Sequence, residues 1–292
     1  MISIVIPYLS GLKQLKECIS SINNQRLKTE IIVVHDAPGT LDLKGVKVLE
    51  NKNNRGAAYS RNRGLEEASA DRVLFVDHDI IFPKGAIKKL VDALEGNDIV
   101  FPKTVYEDET IMHPIGKEKK YPQISTCFIV RKNSVKEKMD EFMDENYHIY
   151  LEDADFFLRA NLAGLRIKYV PDAIVNHKLK TSYNENRFYL ENKNLLYGIL
   201  KFSGVNKKNT LHPFHLSSVF SNFICALFNF DRFDWSYYDR ELSFWRKARL
   251  LFGRHKRITE KSRLLLLYYF FKGIIWNLLN IDKIIHKKKR IS

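Results

Sequence analysis

The sequence lacks the features that define several protein classes. Its three cysteines, Cys18, Cys127 and Cys225, lie too far apart for a disulfide framework or a cysteine metal site, so we expect a reducing compartment. No stretch reaches the roughly 20 apolar residues that a membrane-spanning helix needs. The opening Met1–Pro7 has no basic segment or cleavage site, so it predicts a buried strand rather than a signal peptide. With 45% hydrophobic and 28% charged residues, the chain is expected to fold around a core.

Acidic residues are scarce at one end of the chain only. Residues 206–292 hold 18 Lys and Arg against 6 Asp and Glu, a net charge of +12, whereas residues 1–205 carry +2. The same 87 residues contain 17 of the 36 aromatic side chains. We therefore expect a near-neutral globular domain at 1–205, followed by a basic, aromatic tail at 206–292. Such a tail suits an anionic surface, either a membrane or a nucleic acid.

Strand and helix patterns alternate along the first half. Apolar runs at Ile2–Pro7, Ile31–Val34 and Val73–Val76 predict buried strands, and helical periodicity at Leu12–Asn23 and Ala57–Ala68 predicts helices between them. This alternation predicts an α/β fold with a mostly parallel sheet and helices on both faces. Ligands of such sheets bind at the carboxyl ends of the strands. Polar residues that follow the strands are therefore the first candidates for a site.

The second half of the predicted globular domain continues the pattern. We expect helices over Asn133–Asp144, Glu152–Ala163 and Ser182–Phe202, and strands over Thr126–Arg131 and Arg166–Val170. Residues 103–125 are polar and are expected to form a loop.

Two carboxylates follow a predicted strand in Asp77-His78-Asp79. Mg²⁺ and Mn²⁺ prefer oxygen ligands and commonly bind one or two carboxylates together with substrate phosphates. The rigid strand end favours a metal site. The alternative is a solvated Asp-x-Asp loop without a ligand.

A second candidate is the segment from Asn54 to Gly64, in which Gly56 and two alanines open a helix. Free amides and the helix dipole favour an anion at such a helix start, and Arg61 lies one turn further along, where a guanidinium is able to bind phosphate. The alternative is close helix packing with exposed arginines. It is not a P-loop, because the Gly-Lys-Ser/Thr ending is missing.

Acidic residues also open the helix predicted at Glu152. Glu152, Asp153 and Asp155 stabilise a helix N-terminus electrostatically, and one of them is a candidate general base. His177 follows an apolar run and is either a structural histidine or a metal ligand.

Taken in order, these features resemble the inverting family 2 glycosyltransferases, which have the GT-A fold. The resemblance covers about residues 1–205 and includes Asn-x-Gly followed by Arg-Asn-x-Gly, the Asp-x-Asp motif and the Glu-Asp motif. The segment Arg187–Phe202 resembles rhamnosyltransferase-like members. The Gln-x-x-Arg-Trp motif of processive synthases is absent, which favours the addition of one sugar or a few.

The resemblance implies roles for individual residues. Asp153 corresponds to the catalytic base, Glu152 lies on the acceptor side, and Asp79, Asp77 and His177 hold Mn²⁺ or Mg²⁺. The donor-binding residues it implies are Pro7, Tyr8, Asp36, Asn54, Gly56, Arg61, Asp77 and His78. The implied partners are a UDP-, dTDP- or GDP-linked sugar and a glycan or lipid-linked acceptor, as in cell-surface polysaccharide or glycolipid synthesis.

The tail contains two apolar stretches, Leu216–Phe230 and Leu264–Ile281. After Leu264–Phe271, the polar positions Gly273, Asn277, Asn280, Lys283 and Lys287 recur at helical spacing, which predicts an amphipathic helix. Together with Trp235, Trp245, Trp276 and the clustered cations, this favours monotopic attachment to the cytoplasmic face of a membrane that carries a lipid-linked acceptor. Ordinary helical packing and a single spanning helix are the alternatives. We expect no nucleic-acid binding, because no groove-reading module is present.

Two other functions fit parts of this pattern. A nucleotidyltransferase has a similar α/β core, but a Gly-rich loop would be expected after the first strand and is missing here. A catalytically inactive nucleotide-sugar-binding scaffold would not need Asp77, Asp79, Asp153 and His177 together.

Overall fold

The structure is a computed structural model that describes residues 1–106, 126–178, 184–205, 214, 216–228 and 263–291. The described chain divides into two compact units, Met1–Lys180 and Thr181–Ser292. This division lies before the boundary expected at 205, because helix Glu185–Lys201 packs against later helices of the chain. Most of residues 103–125, as well as Trp235 and Trp245, lie outside the described residues.

The first unit is built on one eight-stranded sheet. Its strands are β1 (Ile2–Tyr8), β2 (Thr29–His35), β3 (Lys47–Glu50), β4 (Arg72–Val76), β5 (Ile80–Ile81), β6 (Ile99–Tyr106), β7 (Cys127–Arg131) and β8 (Ile167–His177). Their order across the sheet is β3-β2-β1-β4-β7-β6-β8-β5. The four strands from β3 to β4 are parallel to their neighbours, but β7 pairs antiparallel with both β4 and β6. The expected mostly parallel sheet is therefore a mixed sheet.

Helices cover both faces of this sheet, as expected. They are α1 (Leu12–Asn23), α2 (Gly56–Glu67), α3 (Ala86–Ala93), α4 (Lys132–Lys138) and α5 (Glu152–Leu162). Successive strand residues point to opposite faces. In β1, Ile4 and Ile6 belong to a core cluster that also contains α1 and α3 residues, whereas Val5 belongs to a second cluster with α2 and α5 residues. Each face of the sheet thus has its own hydrophobic core.

The helix expected over Asn133–Asp144 is shorter than the sequence pattern predicts. It ends at Lys138, and a single 3₁₀ turn follows at Glu145–Tyr147. Between them, Asn62 exchanges two hydrogen bonds of 2.9 Å with the backbone of Met143. Arg159 donates to the carbonyl oxygens of the two residues before Met143. These side chains satisfy backbone groups that a continued helix would have paired internally.

The strand expected over Arg166–Val170 is longer than predicted. It continues through Pro171 to His177, with a register shift where it passes Pro102 and Lys103 of β6. Its last residues pair with the short strand β5 on the other side. This extension carries His177 to the edge of the sheet where β1, β2 and β4 also end.

The second unit is helical. Its described helices are α6 (Glu185–Lys201), α7 (Leu216–Phe228), α8 (Arg263–Leu279) and α9 (Ile281–Lys289). The amphipathic helix expected after Leu264 is divided at Asn280 into α8 and α9. No single helix of the described chain is long and apolar enough to cross a membrane. The stretches Leu264–Leu279 and Ile281–Lys289 reach that length and composition only as a pair, and they are bent by 63°.

Candidate active site

Three expected metal ligands meet at the carboxyl edge of the sheet. Asp77 follows β4 and His177 ends β8, while the pairing of Ile80 with His177 brings Asp79 beside the imidazole. Nε2 of His177 lies 3.5 Å from Oδ1 of Asp79. Ligand atoms of Asp77, Asp79 and His177 all lie within 4.8 Å of one another. The sheet topology therefore joins residues that are 100 positions apart in the sequence.

This group of donors fits a divalent cation. Carboxylate oxygens are the ligands that Mg²⁺ and Mn²⁺ prefer, and the buried Nδ1 of His177 has no hydrogen-bond partner among the described residues. The pKa of the Asp77 carboxyl is raised above its ordinary value, mainly by burial and further by the adjacent Asp79. Arg61 and His177 act in the opposite direction and offset only part of this rise. A bound cation would relieve the repulsion between these two carboxylates.

Arg61 lies between two carboxylates rather than in open solvent. Its guanidinium donates to Oε1 of Glu152 at 2.8 Å and to Oδ1 of Asp77 at 2.9 Å, and the Arg61 side chain is 4% exposed. Burial would lower the pKa of Arg61, but Asp77, Glu152 and Asp153 keep it above its ordinary value. Arg61 thus ties the start of α5 to the Asp-x-Asp segment, and this planar bridge is a role that the sequence did not suggest for Arg61 or Glu152.

The anion at the start of α2 is a side chain of the protein itself. Asp36 accepts hydrogen bonds from the backbone amides of Arg55 and Gly56, at 2.8 and 2.7 Å, and from Nδ2 of Asn51 at 2.7 Å. Asn54 is exposed and its Oδ1 accepts a bond from the amide of Gly56 at 3.1 Å. A donor phosphate was expected at these amides, but Asp36 occupies that position.

The segment before α5 has a strained backbone. Four non-glycine residues of the described chain have positive φ, and three of them are His148 (65°), Tyr150 (69°) and Leu151 (65°). His148 is the centre of a γ-turn, in which the amide of Ile149 donates to the carbonyl oxygen of Tyr147 at 2.8 Å. Such conformations cost about 1–3 kcal/mol each and cluster at functional sites.

The strained segment is anchored on α2. The carbonyl oxygen of His148 accepts a bond from the amide of Ala58 at 3.2 Å. Gly56, with a φ of 89°, has no side chain to obstruct this contact. Asp153 follows in the first turn of α5, where its Oδ1 accepts a bond from the amide of Ala154 at 2.7 Å. Asp153, the expected base, therefore lies at the N-terminus of α5, next to Glu152, which accepts the hydrogen bond from Arg61.

The remaining expected residues line the ends of β1 and β4. The Tyr8 ring contacts His35 and His78, with ring centroids 5.5 and 5.7 Å apart, and Pro7 is half-buried beside it. Asn51 was not among the expected residues, although it directly follows β3, as the other candidates follow their strands. His148 was not expected either, because its role depends on a contact with α2 that no local pattern indicates.

A family comparison agrees with this geometry. Residues 3–143 match the family described as Glycosyl transferase family 2. The match covers slightly less than half of the chain. The matched range includes Asp36, Arg61, Asp77 and Asp79, and it ends before α5 and His177.

Curated relatives are glycosyltransferases as well. The chain is 28% identical to the glycosyltransferase YwdF of Bacillus subtilis over 196 residues, which cover 60% of this chain and 72% of YwdF. It is 31% identical over 121 residues to the GalNAc(5)-diNAcBac-PP-undecaprenol beta-1,3-glucosyltransferase of Campylobacter jejuni, which covers 37% of this chain and 39% of that protein. For several relatives the chain spans only 31–39% of their length.

A solved structure shares the fold. Residues 1–349 of S. aureus TarS, crystallised in complex with UDP, superpose with a TM-score of 0.51 at 20% identity, over 77% of this chain and 78% of that one. At this level of identity the likeness shows the fold alone. The GT-A fold that the sequence predicted is confirmed.

Proposed function

We propose that this protein is a metal-dependent, inverting glycosyltransferase that moves one sugar from a nucleotide-sugar donor to a hydroxyl of a glycan acceptor. The observation that carries the proposal is the arrangement around Arg61. One guanidinium joins Asp77, in the carboxylate–imidazole cluster, to Glu152, which precedes Asp153 at the start of α5. A candidate metal-binding group and a candidate base are therefore linked through one guanidinium.

The proposed reaction is a single displacement. Asp153 accepts the proton of the acceptor hydroxyl, whose oxygen forms a bond to the anomeric carbon of the donor sugar. The bond from that carbon to the diphosphate oxygen breaks with its electron pair, and the anomeric configuration inverts. Mn²⁺ or Mg²⁺, held by Asp77, Asp79 and His177, would supply Lewis-acid stabilisation of the departing diphosphate. The Arg61 bridge to Glu152 holds the start of α5, which carries Asp153, in a fixed position relative to Asp77 during this step.

The nucleotide is the first property to test. TarS structures contain UDP and UDP-GlcNAc, which supports a uridine donor ahead of dTDP or GDP donors. Binding of UDP, dTDP and GDP should be measured by calorimetry with and without Mn²⁺, for the wild type and Asp79→Ala. We expect one nucleotide to bind only with metal, and Asp79→Ala to lose that binding. Metal-independent, unchanged affinity in the variant would contradict the assignment of Asp79.

The base requires a separate variant. Asp153→Asn keeps the size of the side chain but removes its ability to take a proton, so transfer should stop while metal-dependent nucleotide binding persists. Asp92→Asn, which changes an exposed aspartate of α3 in the same way, is the matched control. Normal turnover by Asp153→Asn would remove Asp153 from the mechanism.

The same assays address the alternative functions. Hydrolysis of the donor in the presence of Mn²⁺ would favour the transferase over an inactive binding scaffold. Release of pyrophosphate from a nucleoside triphosphate would instead favour a nucleotidyltransferase.

The acceptor and the location of the enzyme are further parts of the proposal. The name of the Campylobacter jejuni relative specifies a PP-undecaprenol acceptor, and the basic tail at 206–292 suits an anionic membrane. We propose a non-processive, rhamnosyltransferase-like enzyme with a hexose or deoxyhexose donor, acting on a lipid-linked glycan of a cell-surface polysaccharide or glycolipid. It would be attached as a peripheral, monotopic protein to the cytoplasmic face of the membrane, where nucleotide sugars are available.

A further inference from the structure

Helix α8 buries a glycine and an asparagine, whereas its Lys272 is exposed. The side that packs in the second unit is formed by Leu266, Phe270, Gly273 and Asn277, which recur at spacings of three and four residues and are buried. A helix on the surface of a water-soluble protein normally buries its apolar stripe and exposes its polar residues. In α8 the glycine and the asparagine, which the sequence analysis assigned to the polar face, are directed into the protein.

Amide side chains join the three helices. Nδ2 of Asn222 in α7 donates to Oδ1 of Asn192 in α6 at 3.1 Å, and Nδ2 of Asn192 donates to the carbonyl oxygen of Phe270 in α8 at 3.2 Å. Nδ2 of Asn277 donates to the carbonyl oxygen of Lys193 at 2.9 Å. All three asparagines are at most 2% exposed. Close approach at small residues, reinforced by interhelical amide bonds, is typical of helices that pack in lipid.

The opposite side of α8 carries large apolar side chains. They are 51–80% exposed, and they are Leu264, Tyr268, Phe271, Ile275, Leu278 and Leu279. We call these six residues the apolar stripe. Its positions follow helical spacing along the whole helix, and the exposed Lys272, whose Nζ lies 5.8 Å from the centroid of the Tyr268 ring, borders it. Contiguous exposed apolar surface of this kind marks an interaction site.

Cations lie beyond the end of the apolar stripe. Helix α9 begins after Asn280, and together with the residue that follows it contributes Lys283, Lys287, Lys288, Lys289 and Arg290. Because α8 and α9 are bent by 63° relative to one another, the basic segment turns away from the axis of the apolar helix. An apolar surface followed by clustered cations is complementary to acyl chains below anionic headgroups.

We infer that the apolar stripe of α8 is the surface that enters the acyl-chain boundary of an anionic membrane, with the cations of α9 at the headgroups. The inference rests on the proposed membrane attachment and specifies the surface that would make it. It also accounts for the burial of Gly273 and Asn277 in α8, since the amide bonds are sheltered inside the helical unit while the apolar side chains of the stripe face lipid.

Vesicle flotation of the full-length chain tests this inference. The probes are phosphatidylcholine vesicles with and without phosphatidylglycerol. The variant is Ile275→Glu/Leu278→Glu, and the control, Ser20→Glu/Asn23→Glu, adds the same two charges to exposed positions of α1. We expect the wild type and the control to float with the anionic vesicles. The stripe variant should bind at least about tenfold more weakly for each substituted side chain.

Other occupants of the stripe would give different results. Equal flotation of the stripe variant and the wild type would overturn the inference. So would a wild-type dimer that the variant converts to a monomer, because a second copy would then cover the stripe. A large fall in the melting temperature of the variant would mean that the stripe packs within the protein. Metal-dependent nucleotide binding, measured on the same samples, separates failure at the membrane from failure of the proposed transferase activity.

Discussion

Substitution of Gly56 by alanine offers a sharp test of how the site is assembled. Gly56 begins α2 with a φ of 89°, and a Cβ placed there would lie 2.5 Å from Nδ1 of His148 and 2.7 Å from its carbonyl carbon. The obstacle includes backbone of the strained segment before Asp153, so a side-chain rotation does not remove it. Gly56→Ala should therefore displace His148 or α2.

The chain provides a matched control in Gly85→Ala. Gly85 precedes α3 with a φ of 82°, and a Cβ there meets nothing within 4 Å. Both variants place alanine in the left-handed region, at a cost of about 1–2 kcal/mol. Only Gly56→Ala adds overpacking, which costs a further amount of about 1–3 kcal/mol. The difference between the two variants measures the contact with His148.

Urea unfolding should be followed by far-UV circular dichroism, because residues 1–205 contain no tryptophan. We expect Gly56→Ala to lose more unfolding free energy than Gly85→Ala, and to lose transfer activity because Asp153 follows the displaced segment. Equal destabilisation with full activity would refute the anchoring of His148 on α2.

Substitutions at two further residues probe charges of the first unit. Arg61→Met should lower the free energy of unfolding by about 3 kcal/mol, which is at the low end for a buried ion pair because Asp77 is partly exposed. Arg61→Lys should lower it less, and thermal unfolding of both variants measures the difference. Asp98 is buried; burial raises its pKa, but hydrogen bonds from Arg166 bring it below the ordinary value. The ionised Asp98 therefore stabilises the folded protein at pH values above the pKa of this residue in the unfolded chain. That stabilisation is lost as the pH falls through the lower pKa of Asp98 in the folded protein. Asp98→Asn should lower the free energy of unfolding by about 1–3 kcal/mol at neutral pH. The difference in stability between this variant and the wild type should disappear below about pH 4.

Much of the fold was predictable because local pattern determines local structure. The helix over Leu12–Asn23 has the predicted bounds, and the strands beginning at Ile2 and near Val73 lie where apolar runs occur. Parallel strands end at one edge of a sheet, so the placement of Asp77 and Asp79 near Tyr8 followed from the same pattern.

Long-range partners were not predictable in this way. Arg61 and Glu152 are 91 positions apart, and nothing near either residue indicates that one guanidinium joins α2 to α5. Likewise, the helix expected to reach Asp144 ends early because Asn62 and Arg159 bind its backbone.

The sequence by itself determined the alternation of strands and helices, the carboxylates at strand ends and the basic, aromatic composition of the tail. The tertiary structure decided which groups face each other. Asp36 holds the start of α2, Arg61 bridges two carboxylates, and Asn277 is directed inward while Ile275 is exposed. The physical reason is that periodicity establishes that a helix has two faces, whereas the elements packed around it determine which face is buried.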